Sequence, residues 1–161
     1  GIIIGEGDWD TGSAALVKMV HDEFPYYTGG INAWVDVADV VNAMYLLMKS
    51  DITGERFIVS AGNFSYKDVF TQLAQAMKKK PPHKLAGPFM SGIVWRMSVL
   101  KSLLTGRAST LTRETATTAQ RKAIYDNSRL TSALPGFAYT PFKTTVERIA
   151  GAYLHGKSEA L

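Results

Sequence analysis

The sequence lacks cysteine altogether, and this absence excludes several classes of protein at once. Without cysteine among its 161 residues, the chain has no disulfide framework, no thiolate metal site and no cysteine nucleophile. A chain without cysteine suits a reducing compartment, so we predict a cytoplasmic protein. The three histidines, His21, His83 and His155, are widely separated and show no metal-ligand spacing. We therefore predict no metal site.

Long apolar runs and a serine nucleophile motif are also missing. The opening run of residues 1–5 is too short for a signal peptide or a membrane span. The mostly apolar stretch 89–104 is interrupted by Arg96 and Lys101, so we predict a buried or amphipathic helix and no membrane protein. The motif G-x-S-x-G does not occur, which leaves a serine hydrolase without its nucleophile.

Charge is modest and dispersed. The net charge is +4 and the sequence pI is near 9.3, a small basic excess that can attract a phosphorylated ligand. The one basic cluster, residues 78–80 with Lys84, follows a predicted helix, where cations favourably meet the negative end of the helix dipole. We therefore predict a solvated helix end and no nucleic-acid partner.

The apolar residues that are present predict one helix-rich α/β domain over residues 1–161. They make up 46% of the chain, enough for a single core. The predicted strands lie at 1–5, 31–37 and 56–60, with a short extended piece at 83–86. The predicted helices lie at 14–21, 36–49, 66–77, 89–104, 112–122, 128–134 and 142–154. Asp36 and Ser65, the latter with Asp68 three residues later, are predicted helix caps.

The loop after the first strand superficially resembles a dinucleotide-binding loop, because Gly5, Gly7 and Gly12 follow an apolar strand. Asp10 stands where the third glycine of G-x-G-x-x-G belongs, and neighbouring acids would repel a pyrophosphate. Nor does the spacing of these acids match a calcium-binding EF-hand loop. We expect a structural loop whose next helix is capped by one of three residues, Asp10, Thr11 or Ser13.

The pattern Tyr-x-x-x-Lys occurs three times, at Tyr45/Lys49, Tyr139/Lys143 and Tyr153/Lys157. In a helix this spacing puts both side chains on one face, where the lysine can lower the pKa of the phenol. Pro141 interrupts the second copy and Gly156 the third. For the first copy we expect core packing of a Met- and Leu-rich helix, so we assign no catalytic residue in this chain.

Four segments, taken in order, resemble the second half of extended short-chain dehydrogenases/reductases. This is the NAD-dependent epimerase/dehydratase group, which includes dihydroflavonol-reductase-like proteins. The first segment resembles the strand end and loop that pass beside the nicotinamide, and the second resembles the family's F-V-D-V-x-D-V-A. The third resembles the strand G-x-x-Y-n-v-g-g, and the fourth the terminal D-x-s-r-a…L-G-f-x-p. The four segments are residues 1–8, 33–41, 54–62 and 125–142.

The resemblance implies the helix-rich, substrate-binding C-terminal part of a Rossmann-type protein. It places the dinucleotide-binding half, with the catalytic Ser and Tyr-x-x-x-Lys, upstream of the position matching Gly1. That N-terminal half is then the implied partner, and a start at Gly1 rather than Met suggests a cut within a larger protein. NAD or NADP would bind the whole protein but not this chain tightly, and the chain alone would be inactive. The sequence leaves the oligomeric state open, with a homo-oligomer as one alternative.

Candidate site residues also follow from the resemblance. Ile2 and Ile3 would touch nicotinamide. A small carbonyl, hydroxy or nucleotide-sugar substrate would lie against the loop after the first strand and against residues 89–96. The predicted substrate-binding residues are Gly7, Trp9, Ser13, Phe89 and Trp95. For Trp9 pocket lining and plain packing are equally open, whereas packing is favoured for Trp95.

One alternative belongs to another class of protein. The chain can be a small interaction module that docks a partner or a membrane surface through the helix 89–104. The residues do not distinguish NAD from NADP, or reduction from epimerisation or dehydration.

Overall fold

The computed structural model describes residues 1–87 and 118–158, and it confirms a helix-rich α/β fold. The strands are β1 (Ile2–Ile4), β2 (Tyr26–Tyr27), β3 (Ile31–Asp36), β4 (Gly62–Ser65) and β5 (Lys84–Leu85). The helices are α1 (Ala14–His21), α2 (Val37–Met48), α3 (Tyr66–Ala76), α4 (Ser128–Ala133) and α5 (Phe142–Ser158). The main sheet has the order β1-β3-β4, with β1 parallel and β4 antiparallel to β3, while β2 and β5 form a small parallel pair.

The main core lies on one face of the three-stranded sheet. Side chains alternate between the faces of a strand, so Ile4 and Trp34 point to the side on which α1, α3 and α5 pack. Leu73 of α3 and Ile149 of α5 are fully buried there. The Trp34 indole N–H also donates to the Phe64 carbonyl at 3.2 Å. This core fixes the sheet against three helices.

A second apolar cluster joins α2 to the C-terminal segment. Its buried members are Ala43, Leu130, Leu134 and Phe137. The carboxylate of Asp39, itself buried, accepts hydrogen bonds from the backbone N–H and the hydroxyl of Thr140 at 2.9 and 2.7 Å. These contacts bind one side of α2, and among residues 1–87 and 118–158 the other side of the helix is left uncovered.

Two of the three predicted helix caps are confirmed. Asp36 caps α2 by accepting from the Ala38 N–H at 2.9 Å. Ser65 caps α3 by accepting from the Asp68 N–H and donating to the Asp68 carboxylate. The prediction for α1 is wrong for Ser13, which is the N-cap but makes no side-chain cap bond. Its hydroxyl donates instead to the Ile3 carbonyl at 2.6 Å, fastening the loop to β1.

The prediction of a strand at 56–60 is wrong. This segment forms no strand, and the antiparallel partner of β3 is β4. The backbone around Ser60 is satisfied by side chains. Its N–H donates to the Tyr139 hydroxyl, and its carbonyl accepts from the Asn127 amide. A run of apolar and β-branched residues favours an extended backbone, but it does not specify which N–H and carbonyl groups pair with that backbone.

The prediction that the Met- and Leu-rich helix α2 packs in the core is also wrong for one side of this helix. The apolar stripe on the uncovered side of α2 lies in solvent, including Val37, Val41, Met44, Tyr45 and Met48. The last helix also differs from its prediction, since α5 continues through Gly156 to Ser158. The predicted helix 89–104 and most of 112–122 fall outside the described residues, although Lys122 forms a bridge with Ile31.

None of the helices in the described part of the chain is long and apolar enough to cross a membrane.

Candidate functional site

A cleft of about 340 Å³ lies where the loop after β1 faces the start of α2. It is at the carboxyl end of a parallel strand, where α/β proteins commonly bind ligands. Its volume is within the range of small-molecule sites. The lining residues are Ile3, Gly5, Glu6, Gly7, Asp8, Thr11, Gly12, Ser13, Ala14 and Val37.

The loop that forms most of this cleft is held by its own side chains. The Asp8 carboxylate accepts from the Asp10 N–H at 3.0 Å and from the Thr11 hydroxyl at 3.2 Å. Gly5 lies so close to α2 that a Cβ at this position would overlap Val37. Only glycine fits there, so the chain leaves β1 directly against the first turn of α2.

An ion-pair network ties the same loop to α5. One guanidinium nitrogen of Arg148 donates to both carboxylate oxygens of Asp36 at 2.8 Å, and the other donates to Glu6 at 2.8 Å. The Asp36 side chain is only 2% exposed, against 54% for Glu6 and 42% for Arg148. Arg148 therefore connects a buried anchor to a cleft wall.

The electrostatics of this network favour its charged form. Burial acts to raise the pKa of Asp36, but hydrogen bonds from Arg148, the Ala38 N–H and Thr145 outweigh it and leave that pKa below its usual value. The hydrogen bond to Asp36 raises the pKa of Arg148. Both groups are ionised at neutral pH, which keeps the bridge intact.

Three predicted site residues meet at this cleft and two others do not. Ile3, Gly7 and Ser13 line it. Ile2 instead packs against the main core, because neighbouring residues of a strand face opposite sides. Trp9 packs edge-to-face on Tyr153 of α5, with ring centroids 5.1 Å apart. The predicted cleft residues Phe89 and Trp95 lie outside the described residues, and the binding roles of all seven stay predictions.

Two residues at this site had no predicted site role: Val37, which lines the cleft, and Arg148, which contacts Glu6 of the cleft wall. Val37 was assigned to a helix core, and Arg148 received no role at all. Val37 follows Asp36 in the segment matched to the family's F-V-D-V, which is the one signal that could have pointed to it. Arg148 is 142 residues from Glu6, a separation at which no local pattern predicts a contact.

Among the described side chains, the Tyr-x-x-x-Lys copies show no arrangement suited to acid catalysis, and the Lys157 side chain lies outside them. Lys49 stacks over the ring of Tyr45, 4.6 Å from its centroid. Burial raises the pKa of Tyr139 and that of Tyr153, the opposite of what a phenol active near neutral pH needs. Residues 1–87 and 118–158 also hold no group of three His, Asp or Glu side chains placed for a metal ion.

The residues of the cleft fit one part of a dinucleotide better than the other. Ile3 offers an apolar surface, 48% exposed, against which an aromatic ring can lie. Glu6 and Asp8 bring negative charge to the same cleft, which disfavours a pyrophosphate. These residues therefore suit an apolar ring such as nicotinamide better than they suit the phosphates of a dinucleotide.

Solved structures match the chain over nearly its whole length, whereas no protein-family model and no curated protein matches it. A nucleoside-diphosphate-sugar epimerase from Pseudomonas aeruginosa has a TM-score of 0.72 at 16% identity, covering 97% of this chain and 46% of its own. RMD from the same organism, complexed with NADPH, has a TM-score of 0.59 at 16% identity, covering 93% and 44%. The Bordetella bronchiseptica enzyme WbmH, in complex with NAD+, has a TM-score of 0.58 at 16% identity, covering 96% and 43%.

The chain thus spans less than half the length of the structures it matches. The resemblance seen in the sequence is confirmed at the level of the fold. This chain has the α/β fold of the C-terminal part of extended short-chain dehydrogenases/reductases of the epimerase/dehydratase type.

Proposed function

We propose that this chain is the substrate-side part of an NAD(P)-dependent oxidoreductase or epimerase. Its substrate is a small carbonyl or hydroxy compound or a nucleotide sugar, and it is inactive without a dinucleotide-binding half. One observation carries the proposal: the cleft lies at the rim of an exposed apolar surface, with Ile3 and Val37 belonging to both. Ligand sites are common at such domain boundaries.

The exposed apolar surface, which we call the docking face, consists of Ile3 and the uncovered stripe of α2. Val37, Val41, Met44 and Met48 follow the spacing i, i+4, i+7, i+11, so they form one face of the helix. A continuous exposed apolar face of this kind is typical of a surface that another unit covers. We infer that the dinucleotide-binding half covers it.

The position of β1 supports the same partner. Among the described strands β1 is at the edge of the main sheet, with β3 on one side. An edge strand offers unpaired backbone N–H and carbonyl groups to a further strand. The matched structures are more than twice as long as this chain, and in the proposed protein the additional length supplies both that strand and the cover for the docking face.

The cofactor would be NAD or NADP, bound mainly by the other half. Two of the matched structures were solved with NADPH and NAD+, which supports a nicotinamide cofactor. The acids of the cleft make this chain a poor pyrophosphate site. The role of the chain is to shape the cleft and orient the substrate, because hydride transfer requires the reacting groups to be held in line.

The test compares the chain alone with the chain joined to the segment encoded upstream of Gly1. We expect NADPH or NAD+ to bind the joined protein and not the 161-residue chain, as measured by nucleotide fluorescence and calorimetry. We also expect turnover only in the joined protein. Tight dinucleotide binding by the chain alone, or an upstream segment without a dinucleotide-binding fold, would refute the proposal.

A further inference from the structure

Arg148 connects two places that serve different purposes in the fold. Asp36 is both the last residue of β3 and the N-cap of α2, so two elements fix its backbone. Glu6 belongs to the loop that lines the cleft. The guanidinium of Arg148 contacts both carboxylates at 2.8 Å, so the rigid anchor and the loop share one cation.

The two arms of this bridge differ in burial, and this separates their functions. In the Asp36 arm one guanidinium nitrogen donates to both oxygens of a buried carboxylate, a charge-assisted contact that anchors the end of the Arg148 side chain. The Glu6 arm ends on a half-exposed carboxylate that contributes little to global stability. Its remaining consequence is local, because it determines where Glu6 lies relative to the cleft.

We propose that Arg148 is a positioning residue that holds Glu6, and with it the cleft wall of residues 5–8, from the terminal helix. By pairing with Glu6 it also reduces the negative charge that the wall presents to a bound molecule. The importance of this wall for substrate rests on the proposed function, whereas the positioning itself is a property of this chain.

A second contact between the loop and α5 gives the proposal an independent probe. Trp9, three residues beyond Glu6, packs edge-to-face on Tyr153 of the same helix. If Arg148 holds the wall, loss of the Glu6 arm should alter the environment of the Trp9 indole. The indole N–H resonance of Trp9 therefore reports on loop position, which a contact serving only stability would not change.

Glu6→Gln is the main variant, because it preserves the shape of the side chain and leaves the Arg148–Asp36 contact intact. We expect hydrogen exchange of the amides of residues 6–12 to rise about two- to five-fold, the range that an exposed ion pair supports. The Trp9 indole resonance should shift, and the melting temperature should stay unchanged. Added salt should raise loop exchange in the wild type and not in the variant.

Glu147→Gln is the matched control, since it removes an exposed pair with Lys143, 3.9 Å apart, on the same helix. It should leave loop exchange unchanged. Arg148→Lys should stay folded and reproduce the loop exchange of Glu6→Gln, because one ammonium nitrogen cannot replace the two guanidinium nitrogens that contact Asp36 and Glu6 separately. Loop exchange unaltered by Glu6→Gln, or altered equally by Glu147→Gln, would overturn the proposal.

These measurements use the 161-residue chain without cofactor or second half. A negative result would remove the positioning role of Arg148 and leave the proposed enzymatic function standing. A failure of the joined protein to bind a dinucleotide would do the reverse.

Discussion

Helices α2 and α3 are nearly equal in length, but they use their apolar residues in opposite ways. α3 buries Val69, Phe70 and Leu73 against its neighbours. In α2, Val41, Met44 and Met48 are exposed by 60%, 58% and 83%, although α2 is the more apolar helix in sequence. An apolar stripe predicts that a surface is to be buried, but the described residues of the same chain need not be the ones that bury it.

The two helices therefore differ in what completes them. α3 is completed within the chain by α1 and α5, whereas α2 is completed on one side by Ala43 and the C-terminal cluster. In our proposal, the dinucleotide-binding half covers the other side of α2. The predictions below test this difference.

The largest expected effect is on the buried side of the comparison. Leu73→Ala removes a fully buried side chain of α3 and should lower the free energy of unfolding by about 2–5 kcal/mol. Met48→Ala, the matched change on α2, should alter it by less than about 0.5 kcal/mol. Urea denaturation of the chain alone measures both, and similar losses would show that α2 is covered without a partner.

The next effect concerns the anchor beneath the first turn of α2. Arg148→Met leaves the Asp36 carboxylate buried without its cation. We expect a loss of about 2–3 kcal/mol, below the usual cost of breaking a buried pair because Arg148 is half-exposed. Urea denaturation at pH 7 measures this loss. A change no larger than that of Glu147→Gln would show that the bridge does not stabilise the fold.

The same anchor predicts a pH dependence with a definite sign. Because the folded pKa of Asp36 is lowered, its stabilisation is present above the unfolded pKa, about 3.9, and is lost as the pH falls through the folded pKa. Stability measured against pH should therefore fall in acid less steeply in Arg148→Met than in the wild type. Equal slopes below pH 4 would contradict the assignment.

A smaller effect is expected on the docking face, and only when the partner is present. Met44→Glu puts a charge in the middle of the apolar stripe. In the chain alone it should change stability by less than about 0.5 kcal/mol. In a mixture with the proposed dinucleotide-binding half, expressed separately, it should weaken association at least about tenfold, or 1.4 kcal/mol. The exposed Lys67→Glu on α3 is the control. Calorimetry measures the affinity of both variants for the other half, and only Met44→Glu should weaken it.

The smallest effect returns to α3. Lys78 follows this helix with φ of 54°, and the bonds from Lys78 N–H to Gln75 and from Lys79 N–H to Ala74 complete a Schellman cap. Lys78→Gly should stabilise the chain by about 0.5–1 kcal/mol, since glycine adopts this conformation freely. Thermal denaturation measures it, and a destabilisation would contradict the cap.

Local features of the fold could be predicted from the sequence because their causes are local. The bounds of α1 and the caps at Asp36 and Ser65 follow from periodicity and from side chains that bond to nearby amides. The strand predicted at 56–60 failed because strand pairing depends on a distant partner, and β4 occupies that place beside β3. The exposure of one side of α2 was not predicted, because periodicity identifies an apolar face but not the element that packs against it.

The candidate site was predictable only where the family resemblance reached it. Ile3, Gly7 and Ser13 were placed by similarity and do line the cleft. The bridge from Glu6 to Arg148 joins residues 142 positions apart, and only the folded sheet and α5 bring them together. Long-range ion pairs leave no periodic or motif signal in a single sequence.

Methionine oxidation tests the central claim most directly, because exposure determines how fast a thioether reacts. In the chain alone, peroxide should oxidise Met44 and Met48 quickly and Met77, which is 4% exposed, slowly. Joining the proposed dinucleotide-binding half should slow Met44 and Met48 to a rate near that of Met77, as mass spectrometry would show. Unchanged rapid oxidation of Met44 and Met48 in the joined protein would contradict the account.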